Sequence, residues 1–428
     1  MASSPRRAVF TGLSVLTSLG HDLGAFRQNL LDGVSGIAPL KNFDASSAPC
    51  KLASEVQGYD GKKFLPAAAR EARKSLNKMA RTVQFGFTTA VQAWEDAGGP
   101  AKGSIDPFRF GVEYGCVMVA TEVEDLCGGA KVSVAFDPKP KVRYDVWGRD
   151  GLRLVPPQWM LKYLPNMPAC HASIYCDAQG PNNTITSGDI ASTLALGEAY
   201  RIVQRDLADA FLVGGCDSRL NPVSYARLSL FQQLTTKADL GPAAVRPFAA
   251  DRSGTVLGEG AAVFVLEERE AARKRGARVD AELVAFASGF DRGLGGSVLA
   301  GVLKRAMEQA GITPADVDHV NSSAGGTTRL DVWEARAIAA VFGPGMAVIA
   351  PKAQLGGLSA AAGLAELAVS VLALRSGVVP GYAGYGVADA ACPVSPIAET
   401  RALLKPYVVK ISSTDMGQCA VVVVRRGD

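Results

Sequence analysis

The sequence predicts an α/β fold, in which helices cover a largely buried β-sheet. Two observations support this fold class. Short apolar runs of strand length alternate with longer amphipathic segments along all 428 residues, a rhythm that is typical of layered α/β domains. Hydrophobic residues make up 48% of the chain and charged residues 20%, a balance that allows a large buried core.

The short apolar runs are predicted to be strands, and the longer amphipathic segments are predicted to be helices. The predicted strands are Ala8–Leu13, Phe110–Met118, Ala210–Gly214, Ala261–Leu266, Glu282–Ala287, Val317–Asn321, Ala347–Ala350, Val408–Ser412 and Ala420–Val424. The predicted helices are Ala25–Leu31, Ala80–Ala97, Ile190–Gln204, Ser297–Ala310, Leu330–Val341 and Leu358–Leu374.

The alternation of strands and helices starts afresh near Ala281, after the charged segment Glu267–Arg278. This pattern predicts two similar halves, residues 1–267 and 268–428, although the identity between them is too weak to indicate a repeat. Between Cys127 and Pro157 the pattern gives way to Gly, Pro, Lys, Asp and Trp. We expect a long loop there, and loops of that length inside a compact domain are usually functional or interfacial.

Composition excludes several classes of protein. The formal net charge of +4 argues against a dedicated nucleic-acid surface but is compatible with an acidic protein partner. Eight cysteines lack CxxC pairs, so we expect reduced thiols and neither a metal site nor a cofactor.

The run Ala8–Leu19 follows two arginines as a signal peptide would, but it contains polar residues and no Ala-x-Ala site follows it, which favours a core strand. No run approaches the roughly 18 apolar residues of a membrane span, so we expect a cytoplasmic protein.

Three segments carry a resemblance to a known family. The segment Arg246–Ala261 is similar, almost residue for residue, to the RPFDxxRxGxxxGEGA segment of the β-ketoacyl-[acyl-carrier-protein] synthases. The start of the chain from Ala8 and the segment Ala208–Asp217 follow the same family. The resemblance covers nearly the whole chain and implies a thiolase fold, with duplicated halves in a five-layered αβαβα sandwich, usually as a dimer.

In this family a cysteine at a tight turn opens a buried helix, whose N-terminus lowers the thiol pKa and helps to form the thiolate that receives the acyl chain. Counting from Gly180 and Pro181, the resemblance places Asp189 at the cysteine position. A carboxylate suits the positive end of a helix and is expected to cap it. It cannot form a stable thioester.

The family also uses two histidines, which polarise the malonyl thioester carbonyl and assist decarboxylation. The resemblance places Ser323 at the first histidine and Gly357 at the second, and neither replacement supplies an imidazole. The only histidines in the chain, at positions 21, 171 and 319, fall elsewhere. Lys352 and Glu334 match the family's lysine and acidic residue, and we expect them to form a structural ion pair.

The family's gate loop corresponds to residues 415–418, so Met416 replaces the gating phenylalanine and precedes Gly417. A thioether there suits either the lining of an acyl pocket or core filling. In related chain-length factors, residues after the strand that corresponds to Phe110–Met118 reach into the partner's acyl channel. Ala120 and Thr121 would then leave that channel open, and Leu126 would floor it. The acidic Glu122 and Glu124 instead suit a solvent-facing first helical turn.

Because the catalytic groups of a synthase act as one unit, loss of all three predicts loss of condensation. The first hypothesis is a non-catalytic partner of an active ketosynthase in fatty-acid or polyketide assembly, like a chain-length factor, although those proteins usually carry Gln where this chain has Asp189. A homodimeric acyl- or carrier-binding protein is the second, and a hydrolase or decarboxylase using Asp189 with Lys352 is the third. The resemblance implies that the partners are acyl carrier protein and either an active homologue or a second copy, in a dimer formed near Leu164–Ile185.

Overall fold

The computed structural model describes residues 6–100, 104–119 and 121–427. In the first part of the chain the strands are β1 (Ala8–Leu16), β2 (Ile37–Pro39), β3 (Leu52–Ser54), β4 (Phe110–Cys116), β5 (Val134–Phe136), β6 (Pro140–Val142), β7 (Asn182–Ile185), β8 (Ala210–Ser218) and β9 (Leu257–Glu268). The helices there are α1 (Leu23–Leu31), α2 (Arg70–Ser75), α3 (Arg81–Asp96), α4 (Val123–Ser133), α5 (Tyr144–Val146), α6 (Trp159–Lys162), α7 (Met167–Cys176), α8 (Ala191–Gln204) and α9 (Pro222–Phe231).

The second part of the chain begins with helix α10 (Arg269–Lys274). Its strands are β10 (Ala281–Phe290), β11 (Val317–Asn321), β12 (Met346–Ile349), β13 (Val378–Val379), β14 (Val394–Pro396), β15 (Arg401–Ala402), β16 (Tyr407–Ser413) and β17 (Gln418–Arg426). The remaining helices are α11 (Ser297–Ala310), α12 (Leu330–Phe342), α13 (Lys352–Leu355) and α14 (Ala362–Ser376). Each strand and helix predicted from the sequence has a counterpart among these elements.

Strand order shows that the fold is duplicated. In the first part the main strands lie in the order β7-β4-β8-β9-β1, and in the second part in the order β12-β11-β16-β17-β10. Numbered along the chain, both orders read third, second, fourth, fifth, first. In both, the first three strands of the row are parallel and the last two pairings are antiparallel. The division at residues 267 and 268 itself stays a prediction.

The burial of the helices shows how the layers of the fold are stacked. Helix α14 is buried from Ala362 to Leu374 and contacts strands of both sheets. Helix α8 also contacts both sheets, and all but four of its residues are buried. A helix without a polar face must lie inside the protein. Helix α3 covers the outer face of the first sheet, and α11 covers that of the second. The result is the five-layered αβαβα sandwich of the thiolase fold, and β1 pairs with β10 to join the two sheets along one edge.

The expected long loop between Cys127 and Pro157 is wrong. Helix α4 runs into an antiparallel hairpin of β5 and β6, and helical turns follow as far as Leu154. Two glycines of this segment, Gly129 and Gly151, serve close packing instead. A Cβ on Gly129 would lie 2.8 Å from the carbonyl oxygen of Gly151, so the two backbones could not approach each other with larger residues.

The expectation that no segment has the composition of a membrane span is also wrong. The helical segment Ser359–Ser376, which ends with α14, has a mean hydropathy of 1.3 and is long and apolar enough to cross a membrane. However, 83% of this segment is buried inside the protein. Its apolar composition is explained by its place between the two sheets.

Candidate functional site

A cavity of about 450 Å³ opens between the two halves of the chain. It is bounded by the turn before α8, by the loops that follow β11 and β12, and by the turn between β16 and β17. Because β11, β12 and β16 are parallel, their carboxyl ends meet at one edge of the sheet, which is where α/β folds usually place ligands. Asp189, Ser323, Gly357, Lys352 and Met416 all line this cavity.

Asp189 lies in a 3₁₀ turn directly before α8. Gly188 enters this turn with a φ of +61°, a conformation that few residues other than glycine adopt. The expected capping role is wrong, because no side chain caps the first turn of α8 and the carboxylate of Asp189 accepts no hydrogen bond from a described residue. The side chain lines the cavity instead. Burial raises the pKa of Asp189, and the positive charges of Lys352 and Arg219 oppose that rise.

Ser323 follows β11 and is 8% exposed. Its backbone N–H donates to Glu334 Oε1 at 2.8 Å, and its hydroxyl donates to Glu334 Oε2 at 2.9 Å. The hydroxyl of Ser413 lies 2.5 Å from the same Ser323 oxygen. Burial raises the pKa of Glu334, while hydrogen bonds from Ser322 and Ser323 lower it. Ser323 is therefore held on both sides by protein groups.

Lys352, at the start of α13, forms a different ion pair from the one expected. Its Nζ lies 2.8 Å from Glu366 Oε1 and donates to the carbonyl oxygen of Ser323 at 3.0 Å. The predicted pair with Glu334 is wrong, because both oxygens of Glu334 accept hydrogen bonds from Ser323. Burial alone would lower the pKa of Lys352, but Glu366 and Asp189 raise it above its ordinary value.

Glu366 and Lys410 are functional-site neighbours that sequence reasoning missed. The second oxygen of Glu366 pairs with Lys410 Nζ, so one carboxylate lies between two lysines. These two cations lower the pKa of Glu366 although burial alone would raise it. Burial is the main reason that the pKa of Lys410 is lowered. The signal was present in the sequence, because each residue is a charge flanked on both sides by apolar residues of a helix or strand, and such charges are buried only when paired.

Gly357 lies against β9. Its N–H donates to the carbonyl oxygen of Val256 at 2.9 Å, and its own carbonyl accepts from the N–H of Gly258 at 2.9 Å. A Cβ at this position would lie 3.3 Å from the Val256 carbonyl oxygen. The backbone of Gly357 is therefore fixed, but it brings no functional group into the cavity.

Met416 is 71% exposed and lies at the rim of the cavity, so the core-filling alternative is wrong. Gly417 holds the turn rather than lining the cavity. Its φ is +94°, and a Cβ would lie 2.2 Å from the carbonyl oxygen of Asp291.

The role of three residues in a partner's channel stays a prediction. Ala120 is outside the described residues, while Thr121 and Leu126 are partly buried around the start of α4 and do not line this cavity. Glu124 is exposed on the first turn of α4, as expected. Glu122 is only partly exposed, because Lys162 Nζ binds it at 2.8 Å and also binds Asp125 at 2.9 Å.

Arg219 was not predicted to be in the site at all. It follows β8 and lines the cavity, and its Nε lies 2.7 Å from Asp217 Oδ2. Asp217 is 1% exposed, so it anchors the arginine from the interior of the protein. A charged residue directly after an apolar strand was the available signal, since the ends of strands supply the residues of such sites.

Comparisons with known proteins agree with this architecture. Residues 6–272 match the family model for the β-ketoacyl synthase N-terminal domain, and residues 294–385 match the model for the C-terminal domain. The chain is 32% identical to 3-oxoacyl-[acyl-carrier-protein] synthase 2 of Coxiella burnetii, over 96% of each chain. A crystal structure of a β-ketoacyl synthase from Burkholderia phymatum is 26% identical and superposes with a TM-score of 0.86, over 99% of this chain and 100% of that one. The structure titled "The ishigamide ketosynthase/chain length factor" shares the fold, at 23% identity and a TM-score of 0.85 over 99% of this chain and 100% of that one.

Proposed function

Since the chain belongs to the β-ketoacyl synthase family, we propose that it is a non-condensing subunit that pairs with an active ketosynthase in the assembly of a fatty-acid or polyketide chain. One observation carries the proposal. Asp189, Ser323 and Gly357, which the resemblance places at the three catalytic positions, line a single cavity, and no cysteine or histidine is among its described lining residues. The site is assembled, but its chemistry is missing.

The missing thiolate removes the first step of condensation. A synthase transfers the acyl group to a thiolate and so stores it as a thioester. The carboxylate of Asp189 is a poor acyl acceptor, and its mixed anhydride would hydrolyse. Nearby cysteines do not replace it: Cys216 and Cys419 are both fully buried, and burial raises the pKa of each thiol, which keeps it protonated.

The missing imidazoles remove the second step. Ser323 donates its hydroxyl proton to Glu334, so it has no free donor for a malonyl thioester carbonyl. His319 is the histidine nearest in sequence to that position, but it is fully buried between Asp318 and Ser370. The hypothesis of a hydrolase that uses Asp189 with Lys352 has less support, because Lys352 is engaged by Glu366 and by Ser323.

The partners that we propose are acyl carrier protein and an active homologue. Strand β7 lies at the edge of the large sheet, where β4 is its strand partner among the described residues. Ile174 in the neighbouring α7 is 78% exposed. An edge strand beside an exposed isoleucine is a surface that proteins often cover, which supports pairing with a homologous chain here.

The proposal is tested by condensation with the full chain. Purified protein, supplied with acyl- and malonyl-carrier protein, should give no β-ketoacyl product above the level of an Asp189→Ala variant. The Asp189→Cys variant should also give none, because positions 323 and 357 still lack an imidazole. Product from the unchanged chain would refute the proposal, and rescue by Asp189→Cys alone would show that the histidine positions are misplaced.

A further inference from the structure

The cavity is lined by both apolar and charged residues. The apolar lining includes Leu228, Phe231, Leu257 and Leu294. Formal charges are brought into the same space by Asp189, Lys352 and Arg219. Lys352 is held by Glu366 and by the carbonyl oxygen of Ser323. Asp189 and Arg219 are different, because neither is fully engaged by the protein.

Arg219 is held at one end only. Its Nε lies 2.7 Å from Asp217 Oδ2. The two terminal amino groups of its guanidinium form no hydrogen bond with any residue that the structure describes. The side chain is 19% exposed, so its charge is already largely removed from water. Asp189 likewise makes no side-chain hydrogen bond within the described part of the chain, and Arg219 is close enough to oppose the rise in its pKa.

A saturated acyl chain would be a poor occupant of such a cavity. Apart from its thioester carbonyl, it would offer Arg219 no hydrogen-bond acceptor, and leaving a buried charge without a partner is costly. A 3-oxoacyl chain carries a second neutral carbonyl oxygen at C3, and that oxygen would accept a hydrogen bond from the guanidinium.

We propose that Arg219 makes this cavity selective for 3-oxoacyl thioesters over saturated acyl thioesters. Arg219 is the specificity-determining residue, with Asp217 fixing its position from the interior. The inference rests on the proposed function in one respect, namely that the acyl group is bound without a covalent bond to the chain.

Calorimetric titration of the full chain with octanoyl-pantetheine and 3-oxooctanoyl-pantetheine tests the inference. Because hydrogen bonds to charged groups are stronger than neutral ones, we expect the 3-oxo thioester to bind at least about tenfold more tightly. The Arg219→Met variant should bind both thioesters equally. That variant leaves Asp217 buried without its partner, so the double variant Asp217→Asn with Arg219→Met provides a second, charge-balanced test. Arg329→Met, at the exposed rim, is the matched control and should keep the preference.

Equal affinity for the two thioesters in the unchanged chain, or binding of neither, would overturn the inference. So would a preference that survives in both Arg219 variants. Intact-mass spectrometry of the same samples separates this inference from the proposed function: an acyl adduct would refute non-covalent binding and the proposed function, whereas the calorimetric preference reports on Arg219 alone.

Discussion

Neutralising Glu366 should destabilise the protein more than any comparable surface change. In the Glu366→Gln variant the side chain keeps its size, but Lys410 and Lys352 lose the carboxylate between them. Their side chains are 0% and 7% exposed, so water cannot replace the lost partner. Removing one partner of a buried pair typically costs about 3–5 kcal/mol. We expect a loss of that size in the free energy of unfolding at pH 7.

Urea unfolding followed by tryptophan fluorescence measures this loss. The matched control is Glu71→Gln, which breaks an exposed pair with Lys74 and should leave the unfolding midpoint unchanged. Adding Lys410→Met to Glu366→Gln should recover part of the stability, because only one buried cation then remains. If Glu366→Gln shifts the midpoint no more than the control does, the two lysines do not depend on that carboxylate and the argument fails.

Three further predictions concern assembly, product length and pH. Light scattering at micromolar concentration should show a dimer, either of this chain or with an active homologue, and a stable monomer would contradict the proposed interface. In a reconstituted heterodimer, Ala120→Phe should shorten the product without abolishing activity; an unchanged length distribution in an intact complex would remove this chain from length control. Burial and nearby Glu198 raise the pKa of Glu113 to about 8. The folded state therefore keeps a proton that the unfolded state releases. Because of this difference, the free energy of unfolding should fall as pH rises from about 4.5 to about 8. Urea titrations at pH 6 and pH 8.5 should show this fall, and Glu113→Gln should reduce it; an equal fall in that variant would assign it to other groups.

The sequence predicted the fold well because local patterns determine it. Helix Ser297–Ala310 and strand Val317–Asn321 have the bounds that the apolar pattern predicted. The segment Cys127–Pro157 was misinterpreted because its glycines resemble loop residues, whereas two of them, Gly129 and Gly151, permit α4 and the following turns to pack closely. Composition alone cannot distinguish these two uses of glycine.

The site was predicted only in part. Family resemblance located Asp189 and Ser323, since both lie within segments of fixed spacing. The resemblance did not reveal that Lys352 pairs with Glu366. These two residues are 14 positions apart in different helices, and their contact depends on how α14 lies in the core. Arg219 was missed for a similar reason: its place in the cavity depends on the anchoring by Asp217.

The position of α14 also has a consequence for how the chain is made. This helix is apolar on every side, and two of the strands that cover it, β16 and β17, are the last elements of the chain. During synthesis α14 therefore leaves the ribosome before the strands of Tyr407–Arg426 exist to shield it. For that interval a nascent chain exposes one of its most apolar segments, which favours aggregation or capture by chaperones. The hairpin of β16 and β17 thus covers the helix late, and its deletion would leave the centre of the sandwich open rather than trim its surface.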